Sequence, residues 1–568
     1  MILHSCCPFL KTILLIKLSK SEFFREPDVD NNSIRNSVVD TLWETFSLVD
    51  SDQLKLHIKA CRSKTCSIDP VPTSLVKSSM DQLLPIILRI VNSSLQEGVF
   101  PDSFKMAHIT PILKKSDLDP ECLNNYRPVS NLAFVSKVIE KVVVERLQIF
   151  LMENNLFEPM QSAYRSFHST ETAMLRVHDD IICALGSHQV VLMVLLDLSA
   201  AFDTVNHKIL LNILHKIGIG GTVLQWFSSY LTSRKQLVKC GVLSETHDLT
   251  CGVPQGSILG PILFTLYTSS LGNLISSFVN IRYHFYADDT QLYIAFDPNH
   301  CDRAVREMEN CVSAVRQWMD SNHLKMNDGK TEVVCIGTDR NLSKLKLESV
   351  AIAGSVVTPV SNVKVLGVTI DSGLTLSTHI NKTCKAAFFH LRNIARIKRY
   401  LPRDCLEQIV HSLIFSKLDY CNSLYLGLPL SQTSKLQRVQ NAAARLITGG
   451  KKFDHMSPIL MSLHWLPVEK RVIFKILLLV YKVIHGIAPS YISDLLTPRV
   501  NVRSLRSTTA VFPLSIPFTN SNLVYNRSFQ YAAPRLWNNL PDSVKVSGCV
   551  TSFKANLKTH LFRDSCDF

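Results

Sequence analysis

Three aspartates carry the chemical promise of this sequence. Asp288 and Asp289 are adjacent, with His284-Phe285-Tyr286-Ala287 before them and Gln291-Leu292-Tyr293-Ile294 after. Each flank reads as a short strand, and the Asp-Asp pair falls where a tight turn would sit. Two carboxylates at a hairpin tip repel each other by roughly 4 kcal/mol at about 4 Å in a dielectric near 20. A cation would relieve that repulsion, and hard oxygen ligands suit Mg²⁺. An isolated Asp-Asp turn is usually only a solvated one. Here a third carboxylate, Asp197, ends the unbroken apolar run Val190–Leu196, which has the look of a strand buried on both faces. If that strand lies beside the hairpin in one sheet, the three side chains converge. Such a cluster can hold two divalent ions roughly 3.5–4 Å apart, the arrangement that serves attacking and leaving oxygens in phosphoryl transfer. Lys114, Lys115 and Arg127 could bind phosphate oxygens, Arg127 through a bidentate fork and the lysines as point charges.

The elements that would position these groups can be read along the chain. Ser51-Asp52 could cap a helix over Gln53–Cys61, and helical spacing recurs from Met80 to Leu95. Ala107–Lys115 reads as a strand running into a basic pair. The loop Asn124–Ser130 and an amphipathic helix over Lys137–Glu153 follow. After Asp197, Ala200–Leu214 reads as helix. Thr250–Ser257 is a Gly/Pro loop feeding an apolar helix from Ile258. Arg303–Ser321 is helical, Glu332–Ile336 a strand, and Val363–Asp371 one more strand. Beyond residue 375 the chain turns helical and basic, with helices expected over Lys382–Lys398, Leu406–Phe415, Ser434–Ile447 and Val468–His485, and a last one over Ser552–Phe562. Arg392, Arg396, Lys398 and Arg399 form a basic cluster.

With 568 residues, 46% hydrophobic, the chain can build several cores, so three or four subdomains are expected. A net charge of +14 points to a polyanionic partner, either nucleic acid or an acidic membrane surface. No apolar run reaches the roughly 20 residues that span a bilayer. The sixteen cysteines are scattered without zinc-finger spacing, as expected of reduced thiols in a nuclear or cytoplasmic protein, not a secreted one. Met1–Leu18 is apolar, but Lys11 and Lys17 interrupt it, so residues 1–41 read as a poorly structured leader.

Taken in order, these stretches carry a resemblance. Leu195–His207, with Asp197, Phe202, Asp203 and His207, is similar to motif A of the reverse transcriptases of non-LTR (LINE-like) retrotransposons. Gly252–Pro261 resembles their motif B, Tyr286–Asp289 motif C, Leu324–Thr331 motif D, and Leu366-Gly367-Val368 motif E. Upstream, Asn125–Ser130 resembles a fingers motif and Gln161–Arg165 the next one, while Cys66–Pro72 resembles the segment before the fingers. Leu436–Arg445 and His464–Pro467 resemble the carboxy-terminal region of the Jockey-like branch.

The resemblance implies an α+β right-hand polymerase: fingers and an antiparallel palm sheet over 42–371, a helical, basic thumb over 372–497, and a mostly helical extension over 498–568. It implies RNA-directed DNA synthesis on an RNA template and DNA primer, with deoxynucleoside triphosphates as substrates and no membrane partner. Asp197, Asp288 and Asp289 would hold two Mg²⁺ ions, Mn²⁺ being the alternative. Phe202 would exclude a ribose 2′-hydroxyl. Gln255 and Gly256 would flank the nascent pair, Arg127 and Lys114 would meet the triphosphate, and Lys330 would be a proton donor near the leaving pyrophosphate. Asp203 and His207 would be helix-surface residues. Full-length relatives carry an endonuclease domain before the polymerase, whereas about 40 residues precede the resemblance here; the expectation is a polymerase half without its nicking partner. A retroelement relic that only binds nucleic acid is the alternative. Neither reading fixes an oligomeric state.

Overall fold

The computed structural model describes residues 41–499 and 511–564, apart from 64, 65, 123, 124, 241 and 353. The expected leader therefore lies, but for residue 41, outside the described residues. Helix α1 (Ser51–Ala60) is capped by Asp50, whose carboxylate accepts the Gln53 N–H at 2.8 Å, so the cap falls one residue before the expected pair. Helix α2 (Met80–Glu97) follows, then strands β1 (Met106–Leu113) and β2 (Tyr126–Asn131), joined antiparallel, and helix α3 (Phe134–Glu153). Helix α4 (Thr170–Gly186) leads into β3 (Val190–Leu196).

Beyond β3 the expected single helix over Ala200–Leu214 does not form. A one-turn 3₁₀ segment, Ala201–Asp203, is followed by α5 (His207–Lys216). Ala200 takes a left-handed φ of 53°, and the Asn206 side chain accepts the N–H groups of Lys208 and Ile209, which starts α5 afresh. Helix α6 (Gly221–Leu231), strand β4 (Arg234–Cys240) and helix α7 (Gly260–Tyr267) follow; β4 pairs parallel with β1 and so extends the β1–β2 sheet. Next come β5 (Ile281–Tyr286), β6 (Asp289–Phe296), helix α8 (Cys301–Ser321) and β7 (Glu332–Ile336).

The second sheet runs β7–β3–β6–β5, antiparallel throughout. Its centre, β3, has six of seven side chains buried. Val190, Leu192, Val194 and Leu196 point into one core, Val191 and Met193 into another. The first core takes side chains from α2, α3, α5, α6 and α7. The second takes them from α4, from β8 (Asn362–Val365) and β9 (Val368–Asp371), and from the helices after residue 375. Those helices include α9 (Ser377–Ile397), α10 (Leu430–Thr448), α11 (Val468–Ile484), α12 (Phe529–Asn538) and α13 (Val550–Arg563). The strand expected over Val363–Asp371 is thus a hairpin. Leu366 and Gly367 both have positive φ, the geometry of a tight two-residue turn.

Candidate active site

The end of the β3–β6–β5 sheet gathers the chemistry. In β5–β6, Tyr286 pairs with Asp289, so the turn is Ala287-Asp288 and Asp289 already opens a strand. Ala287 has φ 56°, a left-handed conformation that costs a non-glycine residue roughly 1–2 kcal/mol. Leu196 pairs with Thr290, and the antiparallel register then runs Asp197 toward Asp289. The chain turns away after Asp197 and makes a two-residue ladder with Lys325-Met326. That ladder brings up Asn327, whose N–H donates to the Asp197 carbonyl at 2.8 Å and whose Nδ2 donates to Asp197 Oδ2 at 3.2 Å. Lys330 Nζ sits 2.8 Å from the same oxygen.

The three carboxylates feel one another. Burial, then the charge of Asp197, raises the Asp288 carboxyl above its ordinary range, against the pull of Lys330 and Arg127. Asp289 is pushed up to about 6 by desolvation, then by Asp288 and Asp197. They are not drawn into a closed set, however: among the described residues no three His, Cys, Asp or Glu side chains form a ready cluster of ligands. Asp197 Oδ2 is engaged instead by Lys330 and Asn327. Lys330 thus lies on Asp197, with its ammonium where a cation's charge would act. An all-carboxylate donor set with two protonation equilibria displaced upward fits hard divalent cations.

The remaining residues expected at the site fall as follows. Arg127 stands on β2 opposite Ile112, exposed, with its charge felt at Asp288. Lys114 lies just past β1, its N–H bonded to the Asn125 carbonyl. Phe202 is half-buried, its ring 4.9 Å from that of Phe264, and its carbonyl accepts the Val253 N–H. The Gln255 carbonyl accepts the Ser130 N–H at 2.8 Å, which ties the loop before α7 to β2. Gln255 Oε1 is buried without a hydrogen-bond partner. Gly256 has φ 130°, and a Cβ there would lie 2.5 Å from the Ser130 oxygen, so only glycine allows the approach. His207 departs from the expected surface position: it is half-buried, and its Nε2–H donates to the Gly252 carbonyl at 2.7 Å.

Two contributors escaped the sequence reading. Glu140, fully buried on α3, accepts the N–H groups of Ile258 at 2.6 Å and Leu259 at 3.2 Å, and burial raises its carboxyl. Its signal was a carboxylate on the apolar stripe shared with Ser136, Val143 and Leu147. The other is Gln161, which opens the Gln161–Arg165 stretch and whose amide reaches Ala287.

Comparison with known proteins now adds to this geometry. Residues 112–370 match the family profile described as reverse transcriptase (RNA-dependent DNA polymerase). The chain carries a reverse transcriptase domain. Among curated proteins it is 28% identical, over 409 residues, to a probable RNA-directed DNA polymerase from transposon BS of Drosophila melanogaster, covering 68% of this chain and 43% of that protein. It is 26% identical to the corresponding protein of the X-element (70% and 43%) and 26% identical to the RNA-directed DNA polymerase of the mobile element jockey (71% and 44%), both from the same fly. These relatives belong to non-LTR retrotransposons. The chain spans less than half the length of each of them. Asp197, Asp288, Asp289 and Glu140, both glycines of the Gly252–Gly256 loop and Lys330 lie inside the reverse transcriptase domain.

Proposed function

We propose that this chain is an RNA-directed DNA polymerase of the non-LTR retrotransposon kind, extending a primer 3′-end on an RNA template. The observation that carries the reading is that the strand register brings Asp197, Asp288 and Asp289 to one sheet end within a reverse transcriptase domain, where burial and then their neighbours' charges raise two of the carboxyls. In this reading the β3–β6–β5 sheet is the palm, β1 and β2 belong to the fingers, and the helices from Ser377 form the thumb.

Asp197, Asp288 and Asp289 would hold two divalent ions, Mg²⁺ first and Mn²⁺ as the alternative. When bound, such ions lower the pKa of a 3′-hydroxyl and neutralise triphosphate charge. The rest is the work of the chain. Arg127, whose charge is felt at Asp288, would offer a guanidinium fork to phosphate oxygens. Lys114, at the end of β1, adds a point charge. Lys330 holds Asp197 in place, and its ammonium is near enough to the reacting centre to give a proton to departing pyrophosphate. Phe202 stands five residues past Asp197 with its ring braced by Phe264, where it can press on C2′ of an incoming sugar. The buried Gln255 amide oxygen has no hydrogen-bond partner, and a donor on the nascent pair would satisfy it.

Primer extension by purified protein tests this. With Mg²⁺ and an annealed primer, deoxynucleotides should be added on RNA and DNA templates, and Asp288→Ala should abolish addition while leaving primer–template affinity within about threefold. Extension that survives Asp288→Ala would remove the site from the mechanism.

A further inference from the structure

The turn that carries Asp288 is held from outside its own hairpin. Segment 160–162 lies along β5: the Phe285 N–H donates to the Met160 carbonyl at 3.0 Å, and the Ser162 N–H to the Phe285 carbonyl at 3.0 Å. Between them Gln161 forms a parallel bridge to Phe285 and is buried, with 3% of its surface exposed. Its Oε1 accepts the N–H of Ala287 at 2.9 Å and that of Ala163 at 2.9 Å. Its Nε2 donates to the Ala287 carbonyl at 3.2 Å. One side-chain amide therefore engages both backbone polar groups of the residue immediately before Asp288.

That residue needs holding. Of the two turn residues, Ala287 has positive φ and Asp288 does not. This is the turn that favours glycine at its first central position. Alanine there leaves the left-handed conformation disfavoured, and two like charges at the tip push the turn open. Gln161 matches the Ala287 peptide groups donor to acceptor and acceptor to donor. Glutamate lacks the donor, and methionine, of similar length, lacks both.

We propose that Gln161 is a positioning residue: its amide locks Ala287 in the left-handed turn and so aims Asp288 and Asp289 at the reacting centre. The aiming rests on the polymerase reading above; the lock does not. Outer partners of a metal site typically cost about 10–100-fold in metal affinity or activity when removed.

Three variants decide it: Gln161→Met, Ala287→Gly, and the double change. In Gln161→Met, amide hydrogen exchange over residues 286–290 should quicken by about tenfold or more, with distant strands unchanged. Mn²⁺ affinity, titrated by electron paramagnetic resonance, should fall by about tenfold, and kcat for primer extension by about 10–100-fold with KM for deoxynucleotide nearly constant. Ala287→Gly alone should be tolerated, because glycine accepts the turn without help. In the double change it should restore part of the lost kcat. If Gln161→Met does not fold, Gln161→Glu replaces it in the exchange measurement, with the same expected quickening. Unchanged exchange at 286–290, or unchanged Mn²⁺ affinity, overturns the proposal. Quickened exchange and weakened Mn²⁺ binding in a protein whose wild type extends no primer would uphold the lock and refute the polymerase reading.

Discussion

Asp289 binds its proton more tightly in the folded chain than in the unfolded one, because desolvation, Asp288 and Asp197 push its carboxyl up to about 6 from an ordinary 3.8. The sign follows from linkage. Protonation of this group favours the fold fully below the unfolded value, and that contribution is lost as pH rises through about 6. At pH 7.5 the metal-free site therefore carries unrelieved charge. Asp289→Asn should melt higher than wild type at pH 7.5 without metal, and the gap should close toward pH 4. Mg²⁺ should raise the melting temperature of wild type more at pH 7.5 than at pH 5.5. Equal Mg²⁺ shifts at the two pH values in differential scanning fluorimetry would contradict the assignment. Phe202 makes a second residue-scale test. Its packing on Phe264 means that Phe202→Val loses some buried area, about 1–2 kcal/mol of stability for a half-buried ring. The fold should survive, and ribonucleotide incorporation should rise relative to deoxynucleotide by about tenfold per 1.4 kcal/mol of lost discrimination. An unchanged ratio in single-nucleotide extension would leave Phe202 as a core aromatic only.

At the scale of elements, the loop before α7 is the joint. It is fixed to β2 by Ser130 and Gln255, to the segment after β3 by Val253 and Phe202, and to α3 by Glu140. Glu140→Leu leaves the Ile258 and Leu259 N–H groups buried without an acceptor, a cost of about 1–3 kcal/mol. Urea denaturation should show that loss, and primer extension should fall with it, because the loop that bears Gln255 and Gly256 loses its anchor. A variant as stable and as active as wild type would show that the joint does not depend on Glu140. The sheet itself sets a different problem. β3 is apolar on both faces, so alternation alone specifies its register weakly. Its ends supply what its middle lacks: the Ala287-Asp288 turn fixes β6, and the Asn327 N–H on the Asp197 carbonyl fixes where β3 stops.

At the scale of the molecule, the region after residue 511 belongs to the second core. Trp537, Phe553 and Leu557 are buried there with Val191 and Met193 of β3. Asp179, on α4, accepts Ser528 Oγ at 2.7 Å and the Phe529 N–H at 2.6 Å, so it caps α12 from inside the protein. Burial pushes its carboxyl up to about 6, and these donors hold it down from higher. Deleting residues 511–568 should therefore uncover apolar surface and strand Asp179 rather than trim an accessory piece. Limited proteolysis should then cut within α4 and the helices after Ser377; an intact protease-resistant remainder with unchanged melting would refute this. The charge of +14 acts at the same scale. Primer–template affinity should fall with salt at a log–log slope near −0.9Z for Z neutralised phosphates on duplex DNA. A flat titration would count against electrostatic binding.

The sequence by itself determined the local elements and the identity of the reactive groups. The apolar run ending at Asp197, a tight turn at the aspartates (one residue earlier than expected, at Ala287-Asp288), the Pro-Gln-Gly loop and the strand Glu332–Ile336 were legible, because strand burial and turn chemistry are short-range properties of consecutive residues. Tertiary structure decided what depends on distant partners. It broke the expected Ala200–Leu214 helix, where the Phe202 and Val205 carbonyls accept the N–H groups of Val253 and Gly252 instead of helical partners. The Val363–Asp371 hairpin, by contrast, turns on the adjacent Leu366 and Gly367 and is local. Tertiary structure drew His207 inward onto Gly252. It also set Glu140 and Gln161 against backbone 118 and 126 residues away in sequence. No pattern along the chain encodes those last two contacts, since a buried polar side chain takes its meaning from the one backbone group it satisfies, and that group is brought to it only when the two cores close on the sheet.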